Sequence, residues 1–317
     1  MILKKYFDQL NILAQCKKYG LPFWQCPQFL FAIMGTAIGI ISIIAYLMGT
    51  HYIEDPAIAS MITLFLAASL LVVSFIIVQS LERVAEANRL KSEFISVVSH
   101  QLRSPLSNLK WSIEFLMSGR PGEISQKQLE YFKILSENAA RMTELVADLL
   151  IVSRIEQGRL IFQKTELSLG ELAEEIINKY KPYAAASNIK INLSVDASLP
   201  LITADLSQIK SIVENLLDNA IRYIKGGGEI NIKIEEKEKN LFFKIEDNGV
   251  GIPQEDQKRI FQKFFRSANA LKNQTEGSGL GLYIAKSIIE RSGGKIGFSS
   301  QEGKGSTFWF ILPVLKK

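Results

Sequence analysis

Residues 94–116 read FISVVSHQLRSPLSNLKWSIEFL, and this stretch decides how the chain is organised. Its apolar residues recur at alternating spacings of three and four, which at about 100° per residue places them on one face of an α-helix. They are Phe94, Val98, Leu102, Pro105, Leu109, Ile113 and Leu116. His100, one of two histidines in 317 residues, lies about 200° from Val98, on the opposite face. A helix that buries its apolar stripe therefore presents this imidazole to solvent.

A second long helix is predicted from Gln128 to Ile155, after the helix-breaking stretch Gly119–Gly122. Its apolar face consists of Leu129, Phe132, Leu135, Ala139, Met142, Val146 and Leu149. A lone hairpin cannot bury both stripes, so we predict a homodimer in which residues 79–157 of two copies form a four-helix bundle. The alternative is that the hairpin packs on the C-terminal domain of its own chain.

Two uncharged runs near the N-terminus are each long enough to cross a bilayer. We predict a transmembrane hairpin with helices at 29–49 and 57–78, joined by a loop that carries Glu54 and Asp55 but no Lys or Arg. Basic residues flank both runs at Lys4, Lys5, Lys17, Lys18, Arg83, Arg89 and Lys91. Because basic flanks remain in the cytoplasm, we expect a multi-pass membrane protein with both termini cytoplasmic, including an N-terminal segment at 1–28.

The net charge of +5 is modest and comes partly from these flanking residues. Membrane lipid headgroups are the expected partner for this charge. No stripe of basic and aromatic residues indicates nucleic acid, so we predict no nucleic acid partner.

Residues 165–317 show a mixed α/β pattern. Helical periodicity covers 168–187, 205–224 and 280–292, and period-two alternation covers 189–195, 230–234, 243–245 and 308–312. This mixture predicts an α/β sandwich, with one sheet and helices packed on one of its faces.

The helix at 205–224 carries a polar face. Asn215, Asn219 and Arg222 are four and three residues apart, which aligns them along one side. Amide oxygens are suitable ligands for Mg²⁺, and an arginine can reach phosphate.

Two glycine-rich segments follow. Asp247 ends a predicted strand and is followed by Gly249 and Gly251, which let a backbone approach a ligand closely. The segment Gly277-Ser278-Gly279-Leu280-Gly281 opens a helix, and such a helix N-terminus is suited to binding phosphate.

These segments together resemble a known family. The stretch around His100 resembles the phosphoacceptor box of sensor histidine kinases. The three polar segments resemble the N, G1 and G2 boxes of the Bergerat-type ATP-binding domain that these kinases share with gyrase, MutL-type and heat-shock chaperone ATPases. Residues 261–265 resemble the F box before an ATP lid at 266–277, and residues 303–307 resemble the last glycine box. The resemblance covers about residues 88–315.

The resemblance implies a sensor histidine kinase of the bacterial inner membrane, with ATP and Mg²⁺ as cofactors. His100 would be autophosphorylated and would pass the phosphoryl group to an aspartate of a cytoplasmic response regulator. His100, Gln101 and Arg222 would be the catalytic residues.

The resemblance also assigns the nucleotide site residue by residue. Asp247 would accept a hydrogen bond from the adenine amino group, Asn215 and Asn219 would hold Mg²⁺, and Arg222 would lie near the γ-phosphate. The full nucleotide-binding set is Asn215, Asn219, Arg222, Asp247, Gly249, Gly251, Phe264, Gly277, Gly279, Leu280 and Gly281.

One position departs from the family pattern. Gln101 stands where an acidic residue usually follows the histidine, and an amide can orient an imidazole but cannot accept its proton. The alternative is therefore a kinase-weak, phosphatase-biased signalling protein, for which the Ser104 hydroxyl is the candidate phosphatase residue. A gyrase-like or chaperone-like ATPase is disfavoured, because those families lack the histidine hairpin.

Overall fold

The computed structural model of the protein describes residues 26–196, 198–267 and 277–314. The N-terminal segment predicted at 1–28 lies almost wholly outside the described residues, and so does most of the ATP lid predicted at 266–277. The described residues form two compact units, one of residues 26–98 with 156–158 and one of residues 99–155 with the described residues from 159 to 314.

The first unit contains a pair of long apolar helices. Helix α1 covers Pro27–Tyr52, and helix α2 begins at Pro56 and ends at Met117. The connection is shorter than predicted, because only residues 53–55 lie between the helices. Asp55 accepts a hydrogen bond of 2.8 Å from the backbone N–H of Ala57. Pro56 occupies the first helical position, where a backbone N–H would have no partner within the helix, so proline is well tolerated there.

Both α1 and α2 are long and apolar enough to cross a membrane, by length and composition. Only 6% of the most apolar window of each helix is buried within the protein. Large apolar side chains such as Ile43, Leu64 and Phe65 are exposed. An apolar surface of this extent needs a covering other than water.

The second unit begins with a helical hairpin. Helix α2 continues to Met117, a turn with positive φ at Gly119 and Gly122 follows, and helix α3 covers Gln126–Glu156. Ser125 and Gln128 cap α3 reciprocally: each side-chain oxygen accepts a hydrogen bond from the other residue's backbone N–H. Both predicted helices are confirmed, to within two residues at the ends of α3.

The apolar stripe of α2 is only partly covered within the described chain. Ile113 is the one stripe residue that is buried, whereas Leu102, Leu109 and Leu116 stay exposed. Leu106, which is not part of the predicted stripe, is also buried. The C-terminal end of α3 differs, because Val152 and Ile155 belong to the hydrophobic core of the following domain. The alternative packing of the hairpin on its own C-terminal domain therefore holds at this end of α3.

The C-terminal domain is an α/β sandwich, as predicted. Its strands are β1 (Lys164–Leu167), β2 (Ile189–Val195), β3 (Ile202–Asp205), β4 (Gly228–Lys237), β5 (Asn240–Asp247), β6 (Lys295–Gln301) and β7 (Gly305–Pro313). Its helices are α4 (Leu169–Ala186), α5 (Leu206–Arg222) and α6 (Gly281–Arg291). Five strands form one sheet in the order β2-β4-β5-β7-β6, in which only the β2–β4 pair is parallel.

Three strands were missing from the sequence prediction. The short strands β1 and β3 pair with each other as a separate antiparallel ribbon, and β6 forms an edge of the main sheet. Four-residue strands are too short to display a period of two. In β6 only Ile296 and Phe298 carry large apolar side chains, with Gly297 between them.

The helices cover one face of the sheet. Along β5 the residues Leu241, Phe243 and Ile245 are buried, while Lys244 and Glu246, which alternate with them, form an ion pair on the other face. Phe243 stacks on Phe310 of β7 with ring centroids 4.7 Å apart, and neither side chain is exposed. This aromatic pair is the centre of the core.

Replacing Phe310 by alanine is expected to destabilise the C-terminal domain by about 3–5 kcal/mol, because the cavity left beside Phe243 cannot collapse fully. The denaturant midpoint of the full chain, followed by intrinsic fluorescence, measures this loss. The matched control is Glu246→Ala, which removes a surface ion pair and is expected to cost no more than about 1 kcal/mol. Equal shifts for the two variants would contradict the proposed core.

Candidate functional site

A cavity of about 920 Å³ lies in the second unit. One wall is formed by α5, the end of β5 and the loop that opens α6, and α3 forms the opposite wall. This volume is in the range of sites that bind small molecules and cofactors.

Helix α5 presents its polar face to the cavity because its apolar face is buried in the core of the domain. Seven of its residues are buried against the sheet and neighbouring helices, namely Ile209, Ile212, Val213, Leu216, Leu217, Ala220 and Ile221. Asn215, Asn219 and Arg222 line the cavity on the other side. The Asn219 amide nitrogen donates to the Asn215 side-chain oxygen over 3.2 Å, and Arg222 Nη2 lies 2.6 Å from Asp218 Oδ2. The predicted constellation is therefore assembled on one face.

Asp247, the last residue of β5, is a buried acceptor at the cavity. Its Oδ1 accepts hydrogen bonds from the backbone N–H groups of Gly249 (2.8 Å) and Ser306 (3.2 Å). Burial raises the pKa of this carboxyl to about 6, against the two N–H groups that lower it and with a further small rise from Glu246. At neutral pH the group is a carboxylate that can accept a hydrogen bond from a ligand.

Two glycines after Asp247 are required by close backbone contacts. A Cβ at Gly249 would lie 2.5 Å from the Tyr223 carbonyl oxygen. Gly251 has φ +66°, and a Cβ there would collide with the Gln301 carbonyl oxygen. Any side chain at either position would push β5 and its aspartate out of place.

The loop that opens α6 lies directly against α5. Gly279 has φ +67°, and a Cβ there would lie 2.8 Å from the Phe264 carbonyl carbon. A Cβ at Gly281 would collide with the side-chain amide of Asn215. The loop backbone therefore lies beside the predicted Mg²⁺ ligands, and Gly277, Gly279 and Gly281 all line the cavity.

Some predicted site residues lie elsewhere. Gly249 and Leu280 are buried and do not line the cavity. Phe264, with φ +61°, is 62% exposed and does not line it either. His100, Gln101 and Ser104 are exposed on α2 and do not line the cavity. The exposure expected for His100 is confirmed.

Sequence reasoning missed the residues that α3 contributes. Arg141, Glu144 and Asp148 line the cavity, and Asp148 Oδ2 accepts a hydrogen bond of 3.0 Å from the Ser278 hydroxyl. Burial raises the pKa of both carboxyls, and for Glu144 the nearby charges of Asp148 and Asp218 raise it further. The signal in the sequence is a pair of acids four residues apart on the predicted helix, a spacing that is also typical of a solvated helix face.

The residues present fit a nucleotide with its magnesium ion. The cavity combines a buried carboxylate acceptor, amide oxygens, an arginine and a glycine loop whose space a Cβ would fill. Among the described residues no cluster of three or more His, Cys, Asp or Glu side chains could hold a metal. The amide oxygens of Asn215 and Asn219 are hard oxygen donors of the kind that Mg²⁺ accepts together with phosphate oxygens.

Comparison with known families assigns both parts of this architecture. Residues 90–158 match the His Kinase A (phospho-acceptor) domain, and residues 204–316 match the histidine kinase-, DNA gyrase B- and HSP90-like ATPase domain. The first match contains His100 and the second contains α5, Asp247 and the loop that opens α6.

Curated relatives carry the same assignment. The circadian input-output histidine kinase CikA of Synechococcus elongatus is 30% identical over 239 residues, which is 75% of this chain and 32% of CikA. The sensor histidine kinase GacS of Pseudomonas protegens is 32% identical over 236 residues, 73% of this chain and 25% of GacS. The chain thus spans about a third or less of the length of these two relatives.

Solved structures agree. Full-length ShkA in complex with AMPPNP superposes with a TM-score of 0.60 at 25% identity, covering 71% of this chain and 46% of that one. The complex of histidine kinase ThkA with response regulator protein TrrA shares the fold, with a TM-score of 0.50 at 24% identity over 72% of this chain and 64% of that one. With a phospho-acceptor hairpin followed by an ATPase domain, this chain belongs to the histidine kinase family.

Proposed function

We propose that this chain is a membrane-anchored sensor histidine kinase that uses ATP to phosphorylate its own His100. The observation that carries the proposal is that one chain combines an exposed histidine on a phospho-acceptor hairpin with an ATPase-domain cavity lined by Asn215, Asn219 and Asp247. The family matches support this function over the phosphatase-biased alternative.

Different side chains of the chain would bind the adenine, the metal ion and the phosphates. Asp247 accepts a hydrogen bond from the adenine amino group, and its two backbone donors keep the carboxylate oriented. Asn215 and Asn219 would hold Mg²⁺, and Arg222, braced by Asp218, supplies positive charge at the phosphates. ATP supplies the γ-phosphoryl group. Catalysis of this transfer consists mainly of positioning and charge neutralisation.

His100 is the proposed nucleophile. Its exposed position leaves a ring nitrogen accessible for in-line attack, and the ATPase domain must come to this face of α2 for transfer to occur. Gln101 can hold the imidazole by a hydrogen bond but cannot take its proton. Ser104, exposed one turn further along α2, is the candidate for a phosphatase step.

A homodimer and a response regulator are the proposed partners. The exposed leucines of the α2 stripe favour pairing of two hairpins into a four-helix bundle. A response-regulator aspartate would receive the phosphoryl group, in keeping with the histidine kinase family.

The membrane arrangement is also a proposal. The domains would be a cytoplasmic segment at 1–28, transmembrane helices at 29–49 and 57–78, the hairpin at 79–157 and the ATP-binding domain at 165–317. Helices α1 and α2 and the family membership support a location in the bacterial inner membrane, with both termini in the cytoplasm and lipid as a partner.

Removing the imidazole is expected to abolish phosphorylation. Wild type incubated with ATP radiolabelled at the γ-phosphate should acquire a label that is stable to alkali and lost in acid, and His100→Ala should acquire none. His51→Ala, which removes the other histidine, is the matched control and should label normally. Labelling that persists in His100→Ala would refute the assignment.

Restoring an acid beside the histidine is expected to speed the reaction. Gln101→Glu should raise the initial labelling rate by about tenfold or more, because a carboxylate can accept the imidazole proton. Gln126→Glu, an exposed substitution of the same kind at the start of α3, should leave the rate unchanged. A rate for Gln101→Glu at or below wild type would contradict the role given to Gln101.

Nucleotide affinity is expected to fall in mild acid. Burial raises the pKa of Asp247 to about 6, so lowering the pH to about 5 protonates the carboxyl and removes the acceptor for adenine. This protonation should weaken binding roughly tenfold. Equilibrium binding of AMPPNP between about pH 7.5 and pH 5 measures this loss. The control is Asp247→Asn, in which the nucleotide's own groups still titrate but residue 247 does not, so its affinity should fall less between these pH values. Identical pH profiles of affinity for wild type and Asp247→Asn would contradict this prediction.

A further inference from the structure

Helix α3 carries two kinds of side chain along a single face. Glu144, Asp148, Val152 and Ile155 follow one another at spacings of four, four and three residues, so they align along the helix. The last two are buried in the core of the C-terminal domain, whereas the two acids line the cavity. One face of α3 is therefore apolar at its C-terminal end and acidic above the nucleotide site.

The C-terminal end of α3 is firmly attached to the ATPase domain. Val152 and Ile155 are 4% and 6% exposed. Arg291, in the last turn of α6, donates through Nη2 to the Ile155 carbonyl oxygen over 2.6 Å and so satisfies a carbonyl at the helix end. This attachment combines apolar burial with a charge-assisted hydrogen bond.

The contact one turn earlier is of a different kind. Asp148 Oδ2 accepts from the Ser278 hydroxyl over 3.0 Å, and the Ser278 oxygen in turn accepts from the backbone N–H of Leu280 over 3.2 Å. Ser278 lies in the glycine loop that opens α6, where the helix N-terminus favours an anion. The carboxylate of Asp148 thus engages the segment that is suited to phosphate.

Negative charge is concentrated at this wall. Glu144 and Asp148 face Asp218 of α5. The pKa of Glu144 is raised first by burial and then by the charges of Asp148 and Asp218. The charges of Arg222 and Arg141 act in the opposite direction and lower it. Tyr180 of α4 shares this environment, since burial and the charges of Asp218, Glu214 and Glu144 raise its pKa to about 12. A triphosphate beside these carboxylates would be repelled.

We propose that Asp148, assisted by Glu144, is an autoinhibitory latch: it holds Ser278 of the glycine loop and disfavours a triphosphate while α3 is seated on the ATPase domain. This inference rests on the proposed nucleotide-binding function. Because binding and latch release are linked, bound nucleotide favours the released state, and a closed latch lowers nucleotide affinity by the same factor. The attachment at Val152, Ile155 and Arg291 would retain the domain as the latch opens.

The test compares nucleotide affinities of the full chain in detergent micelles. Asp148→Asn is nearly isosteric and keeps an oxygen that can accept from Ser278, so it removes the charge alone. We expect the Kd for AMPPNP with Mg²⁺ to fall by about three- to tenfold, as removal of one nearby charge at intermediate dielectric predicts. The gain for ADP should be smaller, because ADP carries less phosphate charge. Calorimetric titration measures both affinities without any phosphoryl transfer.

Two further variants complete the design. Glu144→Gln should tighten AMPPNP binding in the same direction by a smaller factor, and it tests the latch even if Asp148→Asn does not fold. Glu130→Gln removes a charge from the same helix outside the cavity and should leave the Kd unchanged.

The possible outcomes are distinct. Tighter AMPPNP binding with a smaller gain for ADP supports the latch. Unchanged or weaker binding by both acid variants, or an equal gain for the two nucleotides, overturns the latch while leaving the proposed function intact. A wild-type chain that binds neither nucleotide overturns the proposed function, and the latch with it.

Discussion

The burial of one face of α5 is the constraint on which the rest of the site depends. Seven apolar side chains fix the rotation of this helix against the sheet, and its Asn215, Asn219 and Arg222 side chains then have only the cavity to face. The loop before α6 is placed by the same helix, since Gly281 lies against the Asn215 amide without room for a side chain. The sheet, the polar side chains of α5 and the glycine loop are thus parts of one packed arrangement.

Patterns that repeat along a helix or strand could be predicted from the sequence. The stripe containing Val98 and Leu109 gives the long helix of the hairpin, and alternation in Ile230–Ile234 gives a core strand. The spacing of Asn215, Asn219 and Arg222 predicts the polar face of α5, because residues three and four positions apart lie on the same side of a helix. The position of Asp247 could be predicted for a similar reason, since this residue ends a clearly alternating strand and is followed by glycines.

Features created by contacts between distant segments could not be predicted. The ribbon of β1 and β3 has no pattern of its own and exists only as a pair. The contact between Asp148 and Ser278 joins residues 130 positions apart. On a helix read for its apolar stripe, Glu144 and Asp148 have the appearance of ordinary solvated residues. Only the docking of α3 on the ATPase domain gives these two carboxyls a shared environment.

Asp247 has a consequence for the folding energetics of the C-terminal domain. A carboxyl with a pKa of about 6 instead of 3.8 binds its proton more tightly in the native state than in the unfolded chain. Stability therefore declines as the pH rises from about 4 to about 6, and above that range the buried charge costs roughly 3 kcal/mol. At neutral pH this buried carboxylate therefore lowers the stability of the domain. If Asp247 binds adenine as proposed, its burial lowers the stability of the fold at the position where it provides the acceptor for the ligand.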